Sequence, residues 1–162
     1  MPHSRFVVDA SPLILLSRVD AEWILHELGL ESLVPAAVRA ELEAGRQRDT
    51  AVDRLLGLEW LSVVPDVDVP VPILAWELGA GESQVLAHGR LRPGFEVVLD
   101  DRQGRRCAKS LGLRTVGTLG LVLRARREGK IPSARDVVTH LVREGMYLDP
   151  DLMDAALGEV GE

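Results

Sequence analysis

Five carboxylates occupy positions in this sequence that suit the binding of divalent cations. Asp9 ends one strand-like run, Asp100 and Asp101 end another, and Glu41 and Glu82 lie beside apolar stripes of helical periodicity. Carboxylates brought together repel one another and burial raises their pKa values, so a bound cation would remove both costs. Their hard oxygen atoms favour Mg²⁺ or Mn²⁺ over zinc. Two such ions would activate a water, bind a scissile phosphate and stabilise the departing 3′ oxygen, which is phosphodiester chemistry.

Other residue types that commonly carry chemistry are poorly placed for it. None of His3, His26, His88 and His140 has metal-ligand spacing with another histidine. The single cysteine, Cys107, has no internal disulfide partner and no histidine nearby in the sequence. We expect it to be a buried structural thiol rather than a nucleophile, and we expect a reducing, cytoplasmic location.

A group of cations follows the acid pair. After Asp101 the helical pattern has a packed face made of Gly104, Cys107, Ala108 and Leu111. The rest of that helix carries the four basic residues Arg102, Arg105, Arg106 and Lys109. An enzyme that cuts a polyanion needs cations that seat phosphates beside acids that hold metal, and arginine can grip a phosphate with two hydrogen bonds. The alternative is that these side chains are simply solvated.

The charge distribution favours the same arrangement. The chain carries a net charge of −6. The stretch 102–135 contains ten basic residues and one acid, which gives it +9 and leaves −15 for the remainder. Such asymmetry predicts an acidic region facing a basic one, although a few solvated helix faces would give the same count.

Short β-rich runs alternate with helical patterns, which predicts a parallel sheet covered by helices. The candidate strands are 5–9, 32–35, 60–64, 96–99 and 114–117. Ligands of open α/β sheets gather beyond the carboxyl ends of the strands, so Asp9 and the pair Asp100 and Asp101 are placed to meet. The alternative is that each aspartate caps the helix that follows it.

Two glutamates extend this group from helices. Val38 and Leu42 mark the inward stripe of a helix over 36–44, and Glu41 lies beside that stripe. Glu82 opens another helix, with apolar residues three and four positions later. A glutamate on an apolar stripe is costly unless it is paired or bound to a cation. The alternative is a rim glutamate whose stem covers the core.

The sequence predicts one domain over 1–162, in which 146–162 forms a peripheral C-terminal helical segment. The stretch 65–72 holds three prolines and is expected to be a surface loop between two halves of that domain. Helix starts are predicted at Ser11-Pro12, at Ser133 with Asp136, and at Asp149-Pro150. No apolar run is long enough to span a membrane, and the start lacks the apolar region of a signal peptide.

An ordered set of motifs resembles a known family. The motifs are Val8-Asp9-Ala10-Ser11-Pro12-Leu13-Ile14, Val34-Pro35 with Val38 and Glu41, Gly79-Ala80-Gly81-Glu82, Leu99-Asp100-Asp101, Arg105-Arg106-Cys107-Ala108, Leu111-Gly112-Leu113 and Val116-Gly117-Thr118-Leu119-Gly120. Together they resemble a PIN domain, in the branch often described as predicted nucleic-acid-binding PIN-like proteins related to VapC toxins.

The resemblance implies a three-layer α/β/α fold, Mg²⁺- or Mn²⁺-dependent cleavage of single-stranded RNA, and a homodimer. In toxin members a small antitoxin blocks the site. Asp9, Glu41, Glu82 and Asp101 correspond to the metal-binding acids, Asp100 is an extra or substitute ligand, and Ser11 matches the hydroxyl residue that orients the first aspartate. Glu82 replaces an aspartate common in better-studied relatives, which changes the expected metal spacing.

Two other α/β families with clustered aspartates fail on the order of their motifs. A response-regulator receiver needs its acid pair at the first strand, and a haloacid-dehalogenase-type phosphatase needs an aspartate at position 11, where this chain has Ser11. One rival remains open: a PIN scaffold that binds nucleic acid or a protein partner and does not cut.

Overall fold

Five parallel strands form the central sheet of the computed structural model, which describes residues 4–162. The strands are β1 (Ser4–Val8), β2 (Gly29–Pro35), β3 (Leu61–Val64), β4 (Phe95–Val98) and β5 (Thr115–Val116). The helices of the described residues are α1 (Ala10–Arg18), α2 (Trp23–Leu28), α3 (Ala36–Gly45), α4 (Ala51–Leu56), α5 (Val71–Leu74), α6 (Ala80–Leu91), α7 (Arg102–Ser110), α8 (Thr118–Arg127), α9 (Ala134–Arg143) and α10 (Pro150–Gly158).

The order of the strands creates the crevice in which the site lies. The sheet runs β3-β2-β1-β4-β5. Val7 of β1 is in register with Leu33 of β2 on one side and with Val97 of β4 on the other. The chain builds one half of the sheet from β1 outward to β3 and then returns to add β4 beside β1. Because the strand order reverses there, a crevice opens beyond the carboxyl ends of β1 and β4.

Helices cover both faces of the sheet and enclose its central strands. Phe6, Val7 and Val8 of β1 and Val97 and Val98 of β4 are all completely buried. Burial on both faces requires continuous apolar strands, which is the pattern seen in the sequence. The predicted three-layer α/β/α sandwich with a parallel sheet is therefore confirmed.

All five predicted strands are present, but some ends differ. β2 begins at Gly29, three residues before the predicted start, and β5 contains only Thr115 and Val116. The prediction for the first helix is wrong by two residues, because α1 begins at Ala10 and Asp9, not Ser11, occupies its N-cap position. The backbone can enter the helix directly after β1, so Pro12 falls inside the first turn.

Two other helix starts are confirmed. The Ser133 hydroxyl accepts a hydrogen bond from the Asp136 amide at 3.1 Å, which caps α9. The Asp149 carboxylate accepts one from the Asp151 amide at 2.9 Å, which caps α10. The predicted helix near the C-terminus is therefore present, but Leu157 on α10 is completely buried in the core, so this segment is more than a peripheral addition.

The proline-rich stretch is not a loop throughout. Residues 65–70 have no helical or strand structure, but α5 begins at Val71, because Pro72 falls in its first turn, where the missing N–H costs nothing. Residues 1–3, which include His3 and the start of the expected domain span, lie outside the described residues. Within residues 4–162 no helix is long and apolar enough to cross a membrane.

Candidate functional site

Three aspartates meet where β1 and β4 end. Asp9 directly follows β1, and Asp100 and Asp101 follow Leu99 at the end of β4. The Asp9 amide donates a hydrogen bond to the Val98 carbonyl at 3.1 Å, which ties the two strand ends together. The crevice predicted from the strand order therefore holds acids from both of its sides.

Asp9 is the buried centre of this arrangement. Only 6% of its surface is exposed, and its Oδ1 atom has no hydrogen-bond partner among the described residues. Burial, together with the charges of Glu41, Asp100 and Asp101, raises the pKa of Asp9 to about 7. An N-cap aspartate normally accepts a hydrogen bond from the amide of the second or third helical residue, but the Asp9 side chain makes no such cap bond to α1. The amide of Ala10, the first residue of α1, lowers the pKa of Asp9 but does not offset its burial. The capping alternative therefore does not account for Asp9.

Glu82 joins the group from the first turn of α6. Its Oε2 atom is buried and has no hydrogen-bond partner among the described residues. Burial and the charges of Asp101, Asp9 and Glu41 raise the pKa of Glu82 to about 7. Asp9 and Glu82 thus each hold a buried oxygen that lacks a donor and that other acids surround. We call Asp9, Glu41, Glu82, Asp100 and Asp101 the acid cluster.

The other acids of the cluster are held by hydrogen bonds from the protein. Both oxygens of Asp100 accept from Thr118, at 2.7 Å from its amide and 2.6 Å from its hydroxyl. Asp101 accepts from the Gly104 amide at 2.8 Å and so caps α7, as the alternative reading of this residue expected. The exposed Glu41 accepts from the amide of Gly81 on α6 at 3.1 Å, which turns its carboxylate towards the cluster.

Sequence reasoning assigned no role to the residues that hold these acids. Thr118 is completely buried and begins α8 after a single residue, Gly117, that follows β5. A Cβ atom at Gly81 would collide with the Glu41 carboxylate, and one at Gly104 would lie 3.0 Å from Glu82 Oε2. Two of these residues could have been suspected from the sequence, because a hydroxyl residue or a glycine lies next to a strand end or a helix start. The stretches concerned are Gly79–Glu82 and Gly117–Gly120.

Two clefts are lined in part by residues of the acid cluster. A larger one of about 800 Å³ is lined by Glu41 and Asp100 and also by Ser11, Arg105, Leu119 and Tyr147. We call it the tyrosine cleft. A second one of about 520 Å³ is lined by Glu82 and Asp101 together with Trp76 and Gln103. Each cleft thus presents two of the acids, and a ligand in either one lies beside the cluster.

Ser11 lies in the tyrosine cleft but does not contact Asp9 through a hydrogen bond in the described structure. Its side chain is exposed on α1, and the donors described for residues 4–162 include none from Ser11 to Asp9. The expected role of Ser11 in orienting Asp9 therefore stays a prediction. At Asp100 the orienting hydroxyl is that of Thr118.

The cations predicted beside the acids lie on the exposed surface of α7. They are Arg102, Arg105, Arg106 and Lys109, and together with Asp100 they line a cleft of about 500 Å³. None of the four forms a salt bridge within residues 4–162. We call them the α7 basic face. Arg105 also lines the tyrosine cleft, so the basic face and the acid cluster adjoin.

Several basic residues that follow α7 in the sequence form ion pairs with acids. Arg124 pairs with Glu96, Arg126 and Arg127 pair with acids at the C-terminus, and Lys130 pairs with Glu27. These later basic residues are therefore paired with acids, whereas the cations of α7 lie exposed beside Asp100. Charge counted along the chain could not reveal this, because the partners lie far away in sequence.

The donor set fits a divalent cation, although no three His, Cys, Asp or Glu side chains of residues 4–162 already stand in a metal-binding arrangement. Three acids of the cluster accept hydrogen bonds from backbone amides or from the threonine hydroxyl: Asp100, Asp101 and Glu41. Asp9 Oδ1 and Glu82 Oε2 are buried and have no hydrogen-bond donor among residues 4–162. Because a buried carboxylate oxygen without a partner is costly, and because oxygen is the preferred ligand of Mg²⁺ and Mn²⁺, a cation would satisfy both atoms.

Comparison with known proteins identifies the family. No curated protein matches the chain. The family model DUF3368, described as a PIN domain, matches residues 5–162, which is almost the whole chain. PIN domains are generally nucleases that use divalent metal ions. The family match, the parallel sheet and the meeting of acids at its carboxyl edge agree: this chain belongs to the PIN-domain family.

Proposed function

We propose that this protein is a Mg²⁺- or Mn²⁺-dependent ribonuclease that cuts single-stranded RNA. One observation carries the proposal: Asp9 Oδ1 and Glu82 Oε2 lie buried near other carboxylates, and neither atom has a hydrogen-bond donor within residues 4–162. Folding alone gives no reason to keep such a pair, because an amide or apolar side chain would avoid the repulsion. A cation bound between the acids would explain why the chain has them.

The acids divide into two sets by their surroundings. Asp9 and Glu82 have free buried oxygens and would bind the cation directly, with Asp101 beside Glu82 as a further ligand. Asp100 is fixed by Thr118 and faces both the tyrosine cleft and the α7 basic face, so it would act as an extra ligand towards the substrate side. Glu41, which lines the tyrosine cleft together with Arg105, would bind or orient the attacking water. When bound, the cation supplies Lewis-acid activation of the phosphate and of the water.

The α7 basic face supports a polyanionic substrate. It places four cations next to Asp100 that have no ion-pair partner in the part of the chain that the structure describes, and Arg105 also lines the tyrosine cleft. Lysine and arginine contacts to phosphates supply the sequence-independent part of nucleic-acid affinity. A strand whose phosphates follow α7 would therefore bring a phosphodiester bond to the acid cluster.

Cleavage by the purified protein tests this proposal. We expect it to cut a labelled single-stranded RNA when Mn²⁺ or Mg²⁺ is added and to stop when EDTA is added. Asp9→Asn should abolish cleavage and keep the fold. A matched control is Glu43→Gln, since Glu43 lies on α3 near Glu41 but is exposed and pairs with Arg39. If wild type and Asp9→Asn bind RNA equally and neither cuts, the protein is a nucleic-acid-binding scaffold and not an enzyme.

Anomalous diffraction from crystals soaked in Mn²⁺ would test the ligand assignment separately. We expect a peak within coordination distance of Asp9 and Glu82. A peak that contacts only surface acids would contradict the assignment.

We further propose that the protein is the toxin of a toxin–antitoxin pair in the cytoplasm, active as a homodimer. The support is the resemblance to VapC-related proteins and, for a reducing location, the buried free thiol of Cys107. Most of the apolar residues of α1 and α2 belong to the core, but Trp23 of α2 is 41% exposed and Leu30, near the start of β2, is 64% exposed, so these two are the residues to test at a dimer face. Growth arrest on expression, relieved by a small neighbouring gene product, would support the toxin role, and sedimentation would give the oligomeric state.

A further inference from the structure

The segment between α9 and α10 forms one wall of the tyrosine cleft. α9 ends at Arg143, and two residues later Gly145 has a φ of +112°, a conformation that favours glycine and ends the helical path of the chain. The Met146 amide donates to the Leu141 carbonyl at 2.9 Å. The backbone of this segment is thus anchored to α9 as it reaches the cleft.

Tyr147 is the exposed member of this segment. Its neighbours Met146 and Leu148 are half-buried and pack against the hydrophobic core, whereas 92% of the Tyr147 surface is exposed. It is also the only tyrosine in the chain. The core therefore fixes the backbone on both sides of Tyr147 and leaves its ring available to a ligand in the cleft.

The remaining walls of the cleft differ in chemical character. Ile14, Leu15 and Leu119 are half-buried apolar residues that line it, Glu41 and Asp100 supply carboxylates, and Arg105 joins it to the α7 basic face. A ligand that spans both surfaces must carry a flat or apolar group at the cleft and anions along α7. A nucleotide strand has both, since its bases have π-faces and its phosphates are charged. A basic peptide would suit the acids but would be repelled by the four cations of α7.

We propose that Tyr147 is a substrate-positioning residue, whose ring stacks on an unpaired base of single-stranded RNA next to the phosphodiester held at the acid cluster. The proposal rests on the proposed function and deepens it. Stacking on aromatic side chains is the common way in which proteins hold single strands without reading their sequence. Bases of a duplex are already stacked on each other, so Tyr147 selects single-stranded substrate.

Binding by a protein that cannot cut the probe tests the role of the ring. All variants would carry Asp9→Asn, and the probe is a fluorescein-labelled single-stranded RNA of about 12 nucleotides, within the usual range of binding-site sizes. We expect Tyr147→Ala to weaken binding roughly 5- to 150-fold, as loss of one stacked base does. Tyr147→Phe should bind like the parent, because it keeps the ring. The control is Leu91→Ala, a change at an exposed apolar residue at the end of α6.

An abasic nucleotide moved along the probe shows whether the ring meets a base. At one position the abasic change should weaken binding to the parent but cause no further loss with Tyr147→Ala, since both changes remove the same contact. Additive losses at every position, or a Tyr147→Ala variant that binds like the parent, would overturn the proposal. If Tyr147→Ala instead disrupts only self-association or capture of a protein partner, Tyr147 is a protein contact and the proposal is also wrong.

The two proposals fail in different ways. If wild type cuts RNA and Tyr147→Ala cuts it with unchanged KM and kcat, only the role of Tyr147 is lost. If wild type binds RNA through Tyr147 but never cuts it, the proposed ribonuclease is lost and Tyr147 keeps its role. If wild type neither binds nor cuts the probe, both are overturned.

Discussion

Asp100 and Thr118 form a two-point contact across the sheet. One carboxylate oxygen accepts from the Thr118 amide at 2.7 Å and the other accepts from its hydroxyl at 2.6 Å. Asp100 lies just beyond β4, whereas Thr118 begins α8 just beyond the short strand β5. The contact therefore fixes the direction of an acid-cluster side chain through a neighbouring strand.

Replacing the Thr118 hydroxyl should disorganise the cluster and leave the fold intact. Thr118→Val keeps the shape of the buried side chain and its amide but removes one charge-assisted hydrogen bond, for which we expect a loss of about 2 kcal/mol of stability and at least a roughly 10-fold loss of cleavage rate. Thr118→Ser keeps the hydroxyl and should retain most activity. Cleavage assays with thermal unfolding would measure both. Wild-type cleavage by Thr118→Val would show that the hydroxyl does not position Asp100.

Gly81→Ala should separate stability from activity. A Cβ atom there would displace the Glu41 carboxylate, which is the end of a flexible exposed side chain, so the structural cost is small. Alanine also favours a helix over glycine by about 1 kcal/mol. We expect unfolding free energy to stay equal or rise, while cleavage falls by roughly 10-fold or more, since Glu41 no longer faces the cluster. A parallel loss of stability and activity would mean that the clash reaches the backbone.

The buried acids should make metal-free protein less stable as pH rises. The pKa of Asp9 is raised from 3.8 to about 7, so its protonated form is favoured by folding. The stabilisation is complete at low pH, declines above the unfolded value and is lost as pH passes about 7. In EDTA at about pH 8, Asp9→Asn should therefore be more stable than wild type by on the order of 1–3 kcal/mol, and the difference should disappear near pH 4.

Added Mn²⁺ provides the control for this pH dependence. Because a bound cation stabilises the charged cluster, it should raise the melting temperature of wild type at high pH and have little effect on Asp9→Asn. If the two proteins have the same melting temperature in EDTA across the whole range, the acids do not destabilise the metal-free fold.

The salt dependence of RNA binding should depend on the α7 basic face and not on the later basic residues. Arg106→Gln and Lys109→Gln should each weaken binding and reduce the slope of log affinity against log salt by about 0.7, as expected for one phosphate contact to a single strand. Arg127→Gln is the matched control, because Arg127 is also an exposed arginine but pairs with Glu159. Equal effects from all three would indicate a diffuse electrostatic attraction.

The pair of Arg124 and Glu96 should matter for stability alone. Arg124 donates to both oxygens of the buried Glu96 at 2.8 and 3.0 Å and lies over the ring of Phe6. Glu96→Gln leaves the guanidinium without its counter-ion, for which we expect a loss of about 3 kcal/mol and a melting temperature lower by roughly 6–12 °C. Cleavage well below that temperature should be unchanged, since Glu96 lies at the start of β4 and the cluster lies beyond its end.

The sequence is informative where one residue type and one local pattern decide the structure. β1 and β4 are apolar runs that end in aspartate, so both the strands and the meeting of Asp9 with Asp100 were predictable. The start of α1 was misplaced because serine before proline is a strong local signal, whereas Asp9 occupies the N-cap position without using its side chain there. The contacts of Thr118 with Asp100 and of Gly81 with Glu41 join residues 18 and 40 positions apart, and no local pattern encodes them.

The packing of Cys107 has a practical consequence for spectroscopy. Its thiol is completely buried on α7, burial raises its pKa, and the chain contains no other cysteine. A thiolate is the form that reacts with maleimides and nitroxide reagents, so the native protein should resist labelling. A cysteine introduced on the surface would then be the sole site of attachment. Distances between a nitroxide there and bound Mn²⁺ could be measured by paramagnetic resonance without first removing the native thiol.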